Sequence, residues 1–183
     1  MSAADFTALR TRMVDNQLRT TDVTNHAVLS AFLSVPREVF VPAAKQELAY
    51  LDTDIELGDG RHVMEPSPLA KLIQLAAIKS SDRALVVAAG TGYGAAIVGH
   101  MAKSVIALEE NSTLAAEAGR ALAAAGAVNV EVVTGALTGG APSKAPFDVI
   151  IIEGAVDAIP ESLIAQLADG GRLVAVEGIN LTG

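Results

Sequence analysis

Short apolar runs alternate with helical segments through the second half of the chain. Five of these runs have the length of a β-strand: Ala84–Ala88, Val105–Leu108, Val130–Val133, Asp148–Ile152 and Arg172–Val176. Helical patterns lie between them, at Ala95–Met101, Thr113–Ala125 and Glu161–Leu167. Strands that are apolar throughout and alternate with helices are typical of a parallel sheet covered on both faces. We therefore predict an α/β, Rossmann-like fold with strand order 3-2-1-4-5 and helices on both faces.

The residues before the first strand carry a different pattern. Ala4–Leu33 has helical apolar spacing, and Val35-Pro36-Arg37 closes that region. Tyr50–Pro68 is rich in Asp, Gly and Pro and lacks periodicity, and a long connection of this kind is usually functional. Leu69–Ile78 reads as an amphipathic helix. We predict a single domain, 1–183, with N-terminal helices and a functional loop in 1–80 and the Rossmann-like core in 81–183.

Charge and composition exclude several classes of function. The net charge of −8 disfavours a partner with a phosphate backbone, which requires a basic face. The absence of cysteine excludes disulfides, thiolate metal sites and a cysteine nucleophile. Neither a signal peptide nor an apolar run of membrane-spanning length is visible. We expect a soluble, cytoplasmic protein that binds neither nucleic acid nor membrane and has no metal site. Its oligomeric state stays open.

A glycine-rich turn, Ala89-Gly90-Thr91-Gly92-Tyr93-Gly94-Ala95, follows the first strand and precedes a helix. Glycines allow positive φ and let the backbone approach a ligand at the positively polarised start of a helix. Glu109 ends the second strand, 19 residues after Gly90. A carboxylate there is placed to accept hydrogen bonds from both ribose hydroxyls of an adenosine-containing ligand. These residues fit S-adenosylmethionine and NAD alike, and a plain structural turn beside an incidental surface glutamate is the simpler alternative.

Several segments resemble the protein-L-isoaspartate O-methyltransferase family. They are Met13–Leu18 (MVDNQL), Val28-Leu29, Val35–Pro42 (VPREVFVP), Ala145–Ile151 (APFDVII), Ile159–Leu163 and Gly170–Val174. The VPRxxFVP stretch is the most specific of them, and together they cover most of the chain. The resemblance implies an S-adenosylmethionine-dependent methyltransferase that acts on isoaspartyl carboxylates of proteins or peptides, a protein-repair activity.

The resemblance also implies which residues bind S-adenosylmethionine. The family uses the glycine turn, the carboxylate after the second strand and positions after the third and fourth strands. In this chain those positions are Ala88, Ala89, Gly90, Thr91, Gly92, Tyr93, Glu109, Glu110, Gly135, Ala136 and Glu153.

The chain departs from the family's motifs at several positions. Val86 and Ala88 replace an acidic residue and an additional glycine before the turn, and Gly135-Ala136-Leu137 replaces a GDG-like segment whose Asp would bind the adenine amino group. The family's substrate loop resembles GQTISQP, with a serine that helps to hold the acceptor carboxylate. Here the loop is Gly60–Pro66 (GRHVMEP), and Met64 in the serine's place cannot donate a hydrogen bond. The candidate acceptor-site residues are Met64, Glu65, His62 and Arg61.

These departures affect how the site would hold a methyl acceptor. An ionised carboxylate attacks a sulfonium methyl group without a general base, so the protein supplies proximity, orientation and a water-poor site. Glu65 and Glu153 would repel a carboxylate acceptor if both face the site, and would suit a neutral or cationic one, whereas Arg61 or His62 would restore the lost contact.

The leading hypothesis is a carboxyl methyltransferase of the isoaspartyl type, or a relative with a changed acceptor. The second is a catalytically weakened or inactive protein with the same fold, and the third is an NAD-binding module.

Sheets of this kind usually add two strands after the fifth. The chain ends at Leu181-Thr182-Gly183, so we expect either a shortened form or a sheet that ends differently.

Overall fold

The computed structural model describes residues 3–178, and their first part is helical. The helical segments are α1 (Ala3–Met13), a π-helical turn (Val14–Leu18), a 3-10 turn (Arg19–Thr21) and α2 (His26–Ser34). Asn25 begins α2, because its side chain accepts hydrogen bonds from the backbone N–H groups of Ala27 and Val28. The segment predicted as helical between Ala4 and Leu33 is therefore interrupted before Asn25.

A β-hairpin lies between the N-terminal helices and the core sheet, within the stretch interpreted as irregular. Two 3-10 segments, Arg37–Phe40 and Ala43–Leu48, lead to β1 (Ile55–Gly58), which pairs antiparallel with β2 (Arg61–Val63). Asp59 and Gly60 form the turn with φ of 50° and 72°, as two-residue hairpin turns require. The interpretation of Tyr50–Pro68 as wholly irregular is wrong for this part, and α3 (Pro66–Leu75) follows it.

Five parallel strands form the core sheet. They are β3 (Arg83–Val87), β4 (Ser104–Glu109), β5 (Val130–Thr134), β6 (Phe147–Val156) and β7 (Leu167–Glu177). The spatial order is β5-β4-β3-β6-β7 and every pairing is parallel, so the predicted order 3-2-1-4-5 is confirmed. The order reverses between β3 and β6, which places a topological switch point at their carboxyl ends.

Helices cover the two faces of this sheet unequally. The helices that follow the strands are α4 (Tyr93–Met101), α5 (Ser112–Ala124) and α6 (Glu161–Ile164). One face, with Val86, Val105 and Ile151, packs in the large core beneath the N-terminal helices, α4 and α5. The other face, with Leu85 and Ile150, packs against a smaller cluster that includes Leu163 of α6. Short side chains in α4 and α5 allow the close helix-on-sheet contact that this nearly aromatic-free composition requires.

No helix within residues 3–178 is both long enough and apolar enough to span a membrane. The chain end at Leu181-Thr182-Gly183, on which the expectation about additional strands rests, lies outside the described residues.

Candidate functional site

A cleft of about 600 Å³ opens at the carboxyl edge of the core sheet. The ends of β3 and β6 contribute Val87 and Ile152 to its lining, and the β-hairpin and the residues before α3 contribute the facing side. Parallel sheets of this topology bind ligands at the edge where the strand order reverses. Seven of the residues predicted for the site line the cleft: Arg61, His62, Met64, Glu65, Ala88, Glu110 and Glu153.

The turn after β3 adopts the left-handed backbone conformations that its glycines allow. Gly90 and Gly92 have φ of 56° and 93°, and Ala88 has φ of 62°. Gly90 lies against the β-hairpin, since a Cβ atom added there would be 3.4 Å from Leu57 Cδ1. Gly92 faces α5, where an added Cβ would be 3.2 Å from Leu122 Cγ. The turn is packed on both sides at the positions where glycine leaves room.

Glu109, predicted to bind a ribose, ends β4 and is completely buried. Its carboxylate accepts hydrogen bonds from the backbone N–H groups of Gly90, at 2.8 Å, and Asn111, at 3.0 Å. The guanidinium of Arg61 binds both oxygens, with Nη1–Oε1 at 2.8 Å and Nη2–Oε2 at 2.6 Å. Bidentate pairs of this kind are among the strong charge-assisted contacts in proteins. Each oxygen accepts two hydrogen bonds, so the carboxylate is fully engaged.

Two further predicted residues, Glu110 and His62, line the same cleft as Arg61. Glu110 is exposed, in contrast to the buried Glu109, and its Oε1 lies 3.9 Å from Arg61 Nη1, so both glutamates approach one guanidinium. His62 on β2 is exposed at the cleft. Arg61, considered as a replacement anchor for the acceptor carboxylate, is engaged with Glu109 instead.

Other residues predicted for the cofactor turn away from the cleft. The hydroxyl of the buried Thr91 donates a hydrogen bond to the backbone oxygen of Phe40. The ring of Tyr93 packs in the core between Phe32 and Phe40, at centroid distances of 6.0 and 5.7 Å. Ala89 is buried as well. Only the backbones of these residues are placed to contribute to a ligand site in the glycine turn.

The segment after β5 lies beside the end of β4. The backbone N–H of Gly135 donates to the backbone oxygen of Glu109 at 3.1 Å, and Ala136 is exposed. Neither residue lines the cleft described above. A methyl side chain at Ala136 offers no polar atom to an adenine.

Arg37 is a candidate functional residue that the sequence reasoning did not include. Its side chain is fully buried, and it donates from Nε to Ala49 O at 2.7 Å and from Nη2 to Met64 O at 2.9 Å. Its Cζ atom lies 4.8 Å from the centre of the Tyr93 ring. Burial lowers the pKa of this guanidinium, while Tyr93 opposes the shift. A lone arginine inside the apolar VPRxxFVP stretch was the available signal, because a charge there needs buried partners.

Acidic side chains dominate the other end of the cleft. The backbone N–H of Glu65, which precedes α3, donates to Asp54 Oδ1 at 2.7 Å. Burial, and then the negative charges of Asp52 and Asp54, raise the pKa of the Glu65 carboxyl group. Within residues 3–178, no group of three or more His, Asp or Glu side chains is arranged to hold a metal ion.

Glu153 lies in the second half of β6, just past the point where its pairing with β3 ends, and lines the cleft. Its Oε1 atom is inaccessible to solvent and has no hydrogen-bond partner. Burial raises the pKa of this carboxyl group to about 8. Glu153 in the cleft lining thus has an unsatisfied oxygen, whereas the buried Glu109 on β4 has many partners.

The chain matches, over residues 9–180, the family model described as protein-L-isoaspartate(D-aspartate) O-methyltransferase. A relative from Shewanella sediminis (strain HAW-EB3), named protein-L-isoaspartate O-methyltransferase 2, is 39% identical over 165 residues, which are 90% of this chain and 68% of the relative.

Two solved structures are similar to this one. A protein-L-isoaspartate O-methyltransferase gives a TM-score of 0.79 at 27% identity, over 91% of this chain and 54% of that one, so this chain spans about half of that protein's length. A Plasmodium falciparum protein of the same description, in complex with S-adenosyl-L-homocysteine, gives a TM-score of 0.79 at 20% identity, over 97% of this chain and 86% of that one. These matches confirm the predicted methyltransferase fold and enzyme class. The chain belongs to the protein-L-isoaspartate(D-aspartate) O-methyltransferase family.

Proposed function

We propose that this protein transfers a methyl group from S-adenosylmethionine to isoaspartyl carboxylates of proteins or peptides, a repair activity. The observation that carries the proposal is the buried Glu109 carboxylate beside the Gly90 turn, at the switch point of the sheet. Membership of the family supports the reaction, and the S-adenosyl-L-homocysteine in the Plasmodium falciparum relative supports the cofactor.

The residues at the sheet edge fit an adenosyl ligand after one exchange of partners. All four hydrogen bonds to Glu109 come from the protein, and two of them come from Arg61. Two ribose hydroxyls can therefore bind this carboxylate only by replacing the two N–H groups of Arg61. The Gly90 N–H contact stays and holds Glu109 in position. When bound, the cofactor supplies an electrophilic methyl group on sulfur.

The acceptor side of the cleft provides orientation and shelter from water. Met64 and Glu65 line it, and the position of this segment is held by the hydrogen bond from Arg37 to Met64 O. An ionised acceptor carboxylate needs no base, so placement in a water-poor cleft is the main contribution required of these residues.

A second candidate acceptor is neutral or cationic. The acidic side chains of Asp54, Glu65 and Glu110 line the cleft, while the positive charge of Arg61 is neutralised by Glu109. Carboxylates within a few ångströms of one another repel, whereas an amine would be attracted. This observation favours an amine-bearing acceptor over a free carboxylate unless another group offsets the repulsion.

Calorimetric titration with S-adenosylmethionine, S-adenosylhomocysteine and NAD tests the cofactor. We expect binding of both adenosyl ligands and none of NAD. Tritiated methyl transfer to an isoaspartyl peptide, beside the matched aspartyl peptide and a lysine peptide, tests the acceptor. Transfer confined to the isoaspartyl peptide supports the proposal, and transfer to the lysine peptide alone supports the second candidate. Absence of adenosyl-ligand binding at millimolar concentration would leave the inactive protein as the correct hypothesis.

A further inference from the structure

A β-bulge at the end of β6 places Glu153 in the cleft. Ile151 pairs with Val174 of β7, but the next pair is Ala155 with Val176, so the β6 side of the ladder contains extra residues. Gly154, within this bulge, has φ of 129°. Bulges redirect side chains and are frequent beside active sites. The pairing of β6 with β3 ends at Ile152, so Glu153 is the first residue beyond that contact.

The Glu153 carboxyl group occupies space that only glycine at position 94 leaves open. A Cβ atom added at Gly94, in the first turn of α4, would lie 1.9 Å from Glu153 Oε1 and 2.9 Å from Oε2. Oε1 is buried there without a hydrogen-bond partner. A buried polar atom without a partner is costly, and such atoms in functional clefts are candidates for ligand contact.

The cations near Glu153 make their hydrogen bonds to other groups. Arg37 donates to the backbone oxygens of Ala49 and Met64, and its remaining nitrogen, Nη1, is buried without a partner. Arg61 forms the bidentate pair with Glu109. Glu153 therefore lacks a salt bridge within the described residues, although it lines the same cleft as Met64 and Arg61.

The electrostatic surroundings favour the protonated form of this side chain at neutral pH. Burial is the largest cause of the rise of the Glu153 pKa to about 8, the positive charges of Arg37 and Arg61 oppose it, and the negative charge of Glu109 adds to it. On the hairpin side, Asp54 and Glu65 add further negative charge to the cleft. A neutral carboxylic acid carries one O–H donor that an ionised carboxylate lacks.

We propose that Glu153 determines acceptor specificity by donating its O–H to one oxygen of the acceptor carboxylate, in place of the hydroxyl that position 64 lacks. The inference rests on the proposed function. The other acceptor oxygen stays free to attack the methyl group, and the proton remains on Glu153 because the reaction of an ionised carboxylate releases none. A bound carboxylate also favours the protonated form of Glu153, as in paired carboxylates that share one proton. The repulsion expected from Glu153 in the sequence thus becomes an attraction.

The pH profile of kcat/KM for an isoaspartyl peptide tests this assignment, measured from pH 6 to 10 for the unmodified protein, Glu153→Gln and Glu153→Ala. We expect the unmodified protein to lose activity above pH 8, by about tenfold per pH unit. Glu153→Gln keeps an N–H donor, so its activity at pH 7 should stay within a few-fold and its profile should lose this decline. Glu153→Ala should raise KM about tenfold at pH 7, the loss of one charge-assisted hydrogen bond. The exposed Glu161 provides the matched control, and Glu161→Gln should follow the unmodified profile.

A carbon-detected NMR titration of the Glu153 carboxyl group provides a readout independent of turnover. The signal is assigned by its absence from Glu153→Gln, with S-adenosylhomocysteine present throughout. We expect a midpoint near 8 that moves upward when the isoaspartyl peptide is added. Gly94→Ala, which displaces the carboxyl group, should lower the midpoint.

Identical pH profiles for the unmodified protein and Glu153→Gln, or a midpoint that the peptide leaves unchanged or lowers, would overturn the assignment. Methylation of a lysine peptide that Glu153→Gln abolishes would overturn it as well, since Glu153 would then bind a cation. Failure of the proposed function has a different signature, namely no binding of adenosyl ligands by calorimetry.

Discussion

Glu109 and Glu153 are the same residue type towards the carboxyl ends of strands in one sheet, yet their surroundings are opposite. Glu109, the last residue of β4, accepts four hydrogen bonds, two of them from Arg61. Glu153, within β6 just past its pairing with β3, has a buried oxygen without a partner and a pKa raised to about 8 by burial. The first accepts hydrogen bonds from donors that surround it, and the second is favoured as a neutral donor at pH 7.

The difference comes from the backbone that surrounds each carboxyl group. Glu109 faces the Gly90 turn and the start of α5, where free N–H groups point towards it, and the hairpin brings Arg61. Glu153 lies in a bulge against Gly94, where no N–H group donates to Oε1. One carboxyl group with four donors and another without a partner for its buried oxygen would suit the proposed binding of hydroxyl groups at the first and of a carboxylate at the second.

The largest effect on cofactor affinity should come from removing the Glu109 carboxylate. Glu109→Ala should weaken S-adenosylhomocysteine binding at least a hundredfold, because two hydrogen bonds to a charged group contribute about 3 kcal/mol or more. Calorimetry measures the change. Glu110→Ala provides the comparison, since the Glu110 side chain is exposed and its nearest approach to Arg61 is 3.9 Å, so its loss should lower affinity much less. Equal losses in the two variants would contradict the assignment of Glu109 to the ribose.

Replacing Glu153 by glutamine should raise the free energy of unfolding, and it should do so only at high pH. The folded pKa of about 8 lies above the ordinary value of 4.5, so the unmodified protein loses stability as the pH rises between these values. For this partly exposed residue we expect a loss on the order of 3 kcal/mol. Glu153→Gln should match the unmodified protein at pH 5 and exceed its free energy of unfolding at pH 9. Chemical denaturation at both pH values measures this, and a constant difference between them would refute the raised pKa.

Releasing Glu109 from its ion pair with Arg61 should change the affinity for S-adenosylhomocysteine less than removing Glu109 does. Arg61→Gln should strengthen S-adenosylhomocysteine binding about tenfold, because ribose hydroxyls no longer compete with a bidentate guanidinium. The same variant should lower the free energy of unfolding, since Glu109 loses its buried counterion. Arg120→Gln, at an exposed arginine of α5, is the control. Weaker binding in Arg61→Gln would instead show that Arg61 itself contacts the ligand.

The smallest effect, a change in the rate of isoaspartyl methylation, should come from substitutions in the loop that contains Met64. Met64→Ser should raise isoaspartyl methylation several-fold above that of the unmodified protein, by adding to the Glu153 donor a hydroxyl worth about 0.5–1.5 kcal/mol. Adding Glu65→Gln should raise turnover beyond either single change by removing like charge beside the acceptor. Tritiated methyl transfer at saturating S-adenosylmethionine measures these rates. Robust turnover by the unmodified protein would mean that its own residues already replace the serine.

The sequence predicted the sheet well because the signal for each strand is local. Apolar runs such as Ala84–Ala88 and Asp148–Ile152 identify parallel strands without reference to distant residues. The position of Glu109 follows similarly, because strand, turn, helix and strand fix its distance from Gly90. The β-hairpin was missed although Asp59-Gly60 is a common hairpin turn sequence, because β1 and β2 have only 4 and 3 residues.

The contacts that define the site could not be predicted in the same way. Arg61 and Glu109 are 48 residues apart, and Arg37 and Met64 are 27 apart. Nothing in the local pattern of either partner specifies such a pair, which depends on how the hairpin packs on the sheet. The bulge that redirects Glu153 depends likewise on the register between β6 and β7. Sequence periodicity places residues on elements, whereas packing decides which of their polar atoms find partners.

The left-handed Ala88 has a cost that the fold itself does not require. A non-glycine residue in this conformation costs about 1–2 kcal/mol, whereas the restriction that alanine places on the unfolded chain recovers only roughly 0.4–1 kcal/mol. The balance is destabilising, so a glycine at this position would leave the fold at least as stable as the alanine does. Ala88 also lines the cleft, so the same exchange would remove a methyl group from the lining. Folding stability and room for a ligand therefore favour the same residue here, and neither accounts for the alanine.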